Sequence, residues 1–226
     1  MDDNAYVGYM YGMVGATFET DDAYKLTHTN TTDSAIKTIA DTFYNTHLNS
    51  YSSLFATNAG FCNDRSIATS AMTWASDDTA TGYGPYTTYY RAYNRIVNLH
   101  QPQFKCPNET NDLFTLTTSS KGNKKLTKPI GLLTIDEVMY AGGKSFTDNS
   151  NYYLVKNDHS WVTMSPYIYD YGYPYMWSVD ESGVTKVGYV TYYRGIRPAI
   201  NLSSSVEILD NGADGTITKP YTIKVS

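Results

Sequence analysis

The chain has 226 residues, a length at which one large domain or two small ones are equally reasonable and which is ample for a real core; one domain is the expectation. Charged residues make up 17% and the formal net charge is −5, with no Lys/Arg cluster, which excludes a basic field for nucleic acid or anionic membrane. No apolar run approaches a membrane span, and Met1-Asp2-Asp3-Asn4 lacks the basic start and apolar stretch of a secretory signal, so a targeting segment is expected to be absent or trimmed away.

In chain order, AYVGYMYG near the start alternates small and large residues as a strand does, and a polar loop follows through Thr31. Asp33 to Leu48 reads as a helix whose apolar face is Ile36, Ile39, Ala40, Phe43 and Leu48, with Thr32 or Asp33 as its cap. From Ser50 to Lys128 the chain is punctuated by Gly, Pro, Asn and Asp, with one helical candidate around Tyr89 to Leu99, where Tyr89, Tyr90 and Tyr93 read as packing residues. In KPIGLLTIDEVMYAGG, Thr134 and Glu137 form a capping box and Gly142-Gly143 ends a short helix fed by Ile130, Leu132 and Leu133. Strands are predicted at Tyr152–Val155, Trp161–Met164, Tyr175–Val179, Thr185–Val190 and Ile196–Leu202, with turns at Asn157-Asp158, Gly172-Tyr173-Pro174 and Glu181-Ser182-Gly183. VEILDNGADGTITKPYTIKV closes the chain as a hairpin. Helices first and sheet last make the fold α+β.

Cys62 and Cys106 are too few for a zinc site without nearby histidines, so they either pair or lie as buried thiols. Pairing is the favoured reading, and the loop it closes would stabilise the fold by about 4 kcal/mol. His28, His47, His100 and His159 are scattered, with no i,i+4 pair, so no catalytic metal is expected. No serine sits in a Gly-x-Ser-x-Gly setting, and Asp77-Asp78 and Asp180-Glu181 read as solvated loop carboxylates. Asp210-Asn211-Gly212-Ala213-Asp214-Gly215 mimics the start of a calcium loop but has Gly at the third position and Tyr221 where the bidentate Glu belongs. No cofactor is assigned; calcium stays possible, at no named site.

The most informative stretch is MSPYIYDYGYPYMWSVDESGVTKVGYVTYYRGIRP, which holds eight of the chain's 23 tyrosines between Tyr167 and Tyr193. Tyrosine supplies large contact area with two torsions to freeze and a hydroxyl to satisfy at the edge, so the run reads as a contact surface. Half-burying eight aromatics would cover roughly 600 to 1,000 Å², about one side of a standard interface. Against this, Tyr167, Tyr169, Tyr171, Tyr173 and Tyr175 recur at every second position, and a regular strand would lay all five over a core. Gly172 and Pro174 speak against a central strand there, and Tyr175 and Trp177 read as scaffold.

The ordered words GFCNDRS, FKCP, NDLFT, KPIGLLTIDEVMYAGG, SWVTMSP, MWSVDESG, YYRGIRPAINLSSSVEI and DGTITKPYTI resemble a family of surface proteins of gut Firmicutes, some of which carry a prepilin-like leader. The last third is similar to the C-type-lectin-like domains that resemble formylglycine-generating enzymes, with Ser160-Trp161 and Gly195-Ile196-Arg197 as counterparts of the Trp-bearing strand and the closing Gly-x-Arg. Variable proteins of diversity-generating retroelements use the same scaffold. The resemblance implies a C-type-lectin-like fold, two helices on a small twisted, mostly antiparallel sheet with long loops. It implies one ligand-binding domain over 1–226: a helix- and loop-rich N-terminal segment over 1–128, a core over 129–202 with a variable region 167–194, and a hairpin over 203–226.

Enzymatic activity is not carried over, because both cysteines precede the C-terminal region where the enzymes have theirs, and the Glu-Pro-Asn motif of calcium-dependent lectins is missing. The ligand contacts implied are Tyr167, Tyr169, Asp170, Tyr171, Tyr173, Tyr189, Thr191, Tyr192, Tyr193 and Arg194. The expected function is adhesin-like binding of a protein or glycan on another cell, phage or host surface by a monomeric, cell-surface or extracellular domain, without nucleic acid or direct membrane insertion. The alternative is a structural subunit of a pilus-like fibre that uses the same tyrosines for self-association.

Overall fold

A computed structural model describes residues 30–68, 87–116, 121–155, 159–170, 173–209, 211–216 and 218–224. The predicted opening strand, His28, Asp77-Asp78, the Asn157-Asp158 turn, Tyr171, Gly172 and Asp210 lie outside them.

The first described helix, α1 (Ala35–Phe43), runs on through a π turn to Leu48 and a 3-10 turn to Leu54. Ser34, rather than Thr32 or Asp33, is its cap: the Ser34 hydroxyl accepts from the Lys37 amide at 3.0 Å. The buried stripe is Lys37, Ala40 and Tyr44, with Ile36 and Leu48 half-buried, whereas Ile39 and Phe43 face outward, 55% and 40% exposed. The face is rotated because the fully buried Lys37 ammonium is held by Asp33 at 3.0 Å, Asp41 at 2.6 Å and Thr127 at 3.1 Å. A buried charge survives only with such partners, and Thr127 comes from a distant stretch of the chain.

Strand β1 (Gly60–Cys62) pairs with β3 (Leu113–Thr115). Between them come β2 (Thr87–Tyr89) and helix α2, an α turn over Arg91–Tyr93 that continues as a π turn to Leu99. After β4 (Gly131–Leu132), helix α3 (Ile135–Tyr140) starts with the predicted capping box, and Gly142 follows it at φ +97°. Tyr152–Val155 is a turn rather than the predicted strand, closed by the Val155 amide donating to the Tyr152 carbonyl.

The main sheet contains β5 (Lys144–Ser145), β6 (Trp161–Asp170), β7 (Tyr173–Val179), β8 (Val184–Tyr189) and β9 (Gly195–Ile196), together with β2. Its order is β2-β6-β7-β8-β5, and β9 runs parallel to the first residues of β6. The predicted Ile196–Leu202 strand is broken: β9 pairs with β6, β10 (Pro198–Ala199) pairs with β4, and Leu202 bridges to Phe55. Pro198 has no amide to continue a ladder, so the segment changes partner there. The closing hairpin pairs β11 (Glu207–Leu209) with β12 (Thr222–Lys224).

Two cores flank this sheet. Val162, Met164 and Met176 join Ala40, Tyr44, Phe55, Phe61 and Phe114 on one side, while Trp161, Trp177 and Val179 join Ala92, Ile96, Ile135 and Val138 of α2 and α3 on the other. The fold is α+β, with a curled, antiparallel-rich sheet and few helices. Among the described residues no helix is long and apolar enough to cross a membrane.

Loops near the sheet are fastened covalently and electrostatically. Cys62 and Cys106 form a disulfide, with Cα atoms 5.6 Å apart. The buried Arg95 guanidinium grips both oxygens of Asp136, at 2.9 and 2.7 Å, and reaches Asp64 at 2.6 Å, while Arg65 pairs with Asp112 at 2.7 Å. Burial raises the Asp112 carboxyl, an effect that Arg65 opposes.

Candidate functional site

The tyrosine run is a hairpin in the middle of the sheet. Asp170 pairs with Tyr173, so β6 reverses into β7, and Pro174 sits buried opposite Tyr169. Pro174 therefore belongs to a central strand after all, at its second residue beside the hairpin end, where one missing amide is tolerated.

A register shift between Pro166 and Ile168 breaks the two-residue alternation. As a result Tyr167 and Tyr169 do not share a face. Tyr167 lies edge-on to Trp177 at 5.0 Å and to Tyr93 at 5.2 Å, and Tyr93 meets Tyr89 at 5.4 Å, so a row of rings continues into the α2 side of the core. Tyr169 is 3% exposed, with Pro174 and Thr88 as its register partners. Its expected role in ligand contact is corrected to one in the core.

Tyr175 and Tyr189 are direct cross-strand partners, rings 4.4 Å apart and hydroxyls bonded at 2.8 Å. Tyr189 also touches Tyr173 at 5.4 Å and Tyr192 at 5.0 Å, the latter edge to face. Aromatic contacts of this kind add about 0.5–1.5 kcal/mol beyond area burial, so the cluster holds its own shape. Tyr173 and Tyr192 remain 52% and 54% exposed, and Tyr193 is 106% exposed. Thr191 is exposed and Asp170 half-buried at the rim; Tyr171 lies outside the described residues. The hydrogen bond to Tyr189, followed by burial, pushes the Tyr175 phenol up to about 12. Burial does the same for Tyr167, again to about 12, helped by Tyr93 and Tyr89.

Arg194 is not presented outward as expected. Its guanidinium donates to the Ser178 hydroxyl at 2.9 Å and lies against Gly188, where any Cβ would collide with it. It also stands 5.9 Å from the Tyr192 ring. The side chain thus pins the Thr191–Arg194 turn to the sheet.

The parallel pairing of β9 with β6, in which the Gly195 amide donates to the Ser160 carbonyl at 2.9 Å, has a second consequence. It opens a cleft of about 350 Å³ lined by His159, Ser160, Glu181, Tyr193, Arg194 and Gly195. Sequence reading missed His159, Ser160 and Glu181 as site residues, because they come from the β6 approach and the β7–β8 turn and carry no motif. Another cavity, about 240 Å³, lies beside the disulfide and is lined in part by Asp64, Arg95 and Asp136. Those three charges are spent on one another.

His47 and His100 are exposed on or after helices, and among the described residues no group of three or more His, Cys, Asp or Glu is arranged to hold a metal. The calcium-like segment sits in the β11–β12 connection, where the Asp214 carboxylate accepts from the Thr216 amide at 3.0 Å.

No protein-family model, curated protein or solved structure matches the chain.

Proposed function

We propose that the chain is a non-catalytic, adhesin-like binding module with a C-type-lectin-like fold, displayed at a cell surface, whose tyrosine cluster receives a macromolecular ligand. The observation that carries this is the contiguous cluster of Tyr173, Tyr175, Tyr189 and Tyr192, braced by a phenol–phenol hydrogen bond yet half-exposed at Tyr173 and Tyr192. Rigid, amphipathic rings on a preorganised frame lose little entropy on binding. The lectin-like reading is supported by the adjacency of Ser160-Trp161 and Gly195-Ile196-Arg197, with the Arg197 guanidinium 4.9 Å over the Trp161 ring. The disulfide suits an oxidising compartment.

On this reading the contact set is Tyr173, Tyr189, Thr191, Tyr192 and Tyr193 with Asp170 at its rim, and Arg194 positions them. The retroelement-diversified surface is the 167–194 stretch, reduced to these outward positions.

Sedimentation velocity over about a hundredfold concentration range tests the proposal, because self-association depends on protomer concentration. A monomer throughout is expected. Self-association abolished by Tyr173→Ala and Tyr192→Ala would replace the binding module with the fibre-subunit reading.

A further inference from the structure

Successive side chains of the Thr191–Arg194 turn go to different places. Tyr192 leans on Tyr189 in the cluster, Arg194 is pinned at Ser178, and Tyr193 projects, wholly exposed, beside the cleft with His159, Ser160 and Glu181. An exposed aromatic of this size carries a large desolvation gain that the folded chain leaves unused. Arg194 on the sheet side holds the backbone that carries it.

From this we propose that the cleft is a subsite for one neutral pyranose unit, the terminal sugar of a glycan. Its volume of about 350 Å³ is at the small end of the range for small-molecule sites, about 300 to 1,000 Å³. The lining brings no cluster of cations to the space, because the Arg194 guanidinium is turned to Ser178 while the Glu181 carboxylate lines the cleft, so an anionic ligand meets an opposing charge there. What the cleft does offer is a flat π face, a carboxylate able to accept from two neighbouring hydroxyls, and the Ser160 hydroxyl, held 3.5 Å from Glu181. A pyranose ring presents the complement, an apolar C–H face and an equatorial fringe of hydroxyls that both donate and accept.

This subsite deepens the binding-module reading and rests on it, but its residues are separate from Tyr173 and Tyr175. The test is saturation-transfer NMR on the full chain with the methyl glycosides of glucose, galactose, mannose and N-acetylglucosamine as probes. At least one is expected to receive saturation, with affinity about tenfold or more weaker in Tyr193→Ala and in Glu181→Gln, unchanged in Ile39→Ala on the exposed face of α1 and unchanged by EDTA. Both cleft substitutions are at exposed positions, so retained folding is checked simply by circular dichroism.

Transfer to none of the four, transfer undiminished in Tyr193→Ala, preference for the methyl glycoside of sialic acid, or loss in EDTA would each overturn the subsite. Failure here with a monomeric chain and a Tyr173-dependent macromolecular ligand leaves the binding module standing. Self-association through Tyr173 and Tyr192 would remove the module itself.

Discussion

The Tyr175 phenol donates a 2.8 Å hydrogen bond to the Tyr189 hydroxyl across the β7–β8 ladder, and through Tyr189 it reaches both exposed tyrosines of the cluster. This pair ties the position of the surface rings to the register of the sheet. Ionising either phenol would place a charge where a shared proton now sits.

The Tyr175 phenol, raised to about 12 against an ordinary value of about 10, favours the neutral form in the folded chain. Its contribution to stability is complete below about pH 10 and is lost as pH rises through about 12. Absorbance at 295 nm is therefore expected to show late-titrating tyrosines, Tyr167 among them, whose amplitude falls by one tyrosine in Tyr175→Phe and partly moves to lower pH in Tyr189→Phe. A Tyr189→Phe titration identical to that of the parent would refute the hydrogen bond as its main cause.

Gly188→Ala would drive its new methyl group into the Arg194 guanidinium. Arg194 is then expected to leave Ser178 and free the Thr191–Arg194 turn. Tryptic cleavage after Arg194 should become faster relative to cleavage at exposed lysines such as Lys219 and Lys224. An unchanged rate ratio would mean that the turn does not depend on this contact.

Asp136→Ala leaves Arg95 buried with only Asp64 as a charged partner and removes the acceptor of the Gln103 amide. Breaking such a buried pair costs about 3–5 kcal/mol. The urea midpoint should fall accordingly with little change in slope. A loss below about 1 kcal/mol, the ceiling for exposed pairs, would show that water reaches the network.

Reducing Cys62–Cys106, which are 44 residues apart, releases a loop whose closure is worth about 4 kcal/mol. The urea midpoint should fall on adding dithiothreitol, and the Cys62→Ser, Cys106→Ser double variant should match the reduced chain. Equal midpoints with and without reductant would place the loop's order in the neighbouring ion pairs instead.

If the surface is diversified by a retroelement, a near-copy of the DNA encoding Tyr167 to Arg197 is expected close to the gene, beside a reverse transcriptase, differing mainly at adenines. The differences should fall on outward positions such as Tyr173, Thr191, Tyr192 and Tyr193 and spare the fully buried Trp177 and Gly188, where a larger residue would push the Arg194 guanidinium off Ser178. Sequencing the flanking DNA decides it; the absence of such a repeat would remove the diversification from the proposal.

Local signals were legible wherever a few neighbouring residues carry the physics. The capping box of Thr134 and Glu137, the left-handed Gly142 and the Glu181-Ser182-Gly183 turn depend on contacts within a few residues, and each lies where its residue types place it. Apolar spacing alone misses the buried face of α1, because Lys37, a residue type that ordinarily stays in water, finds two local carboxylates and the distant Thr127. Tyr152–Val155 has strand composition but no neighbouring strand to complete a ladder, so turn hydrogen bonds take its amides.

The amino-acid sequence by itself determined that a tyrosine-dense segment lies between a Trp-bearing strand and a Gly-Ile-Arg close, because composition is a local property, whereas its pairing as a β6–β7 hairpin belongs to the tertiary structure. Which of those tyrosines meet water was decided only in three dimensions. One register shift in β6 sends Tyr167 and Tyr169 to opposite faces, and the room above Gly188 draws Arg194 inward. The parallel contact of β9 with β6 then sets Tyr193 beside Glu181. Side-chain direction in a sheet follows register, and register follows from partners far away in the chain.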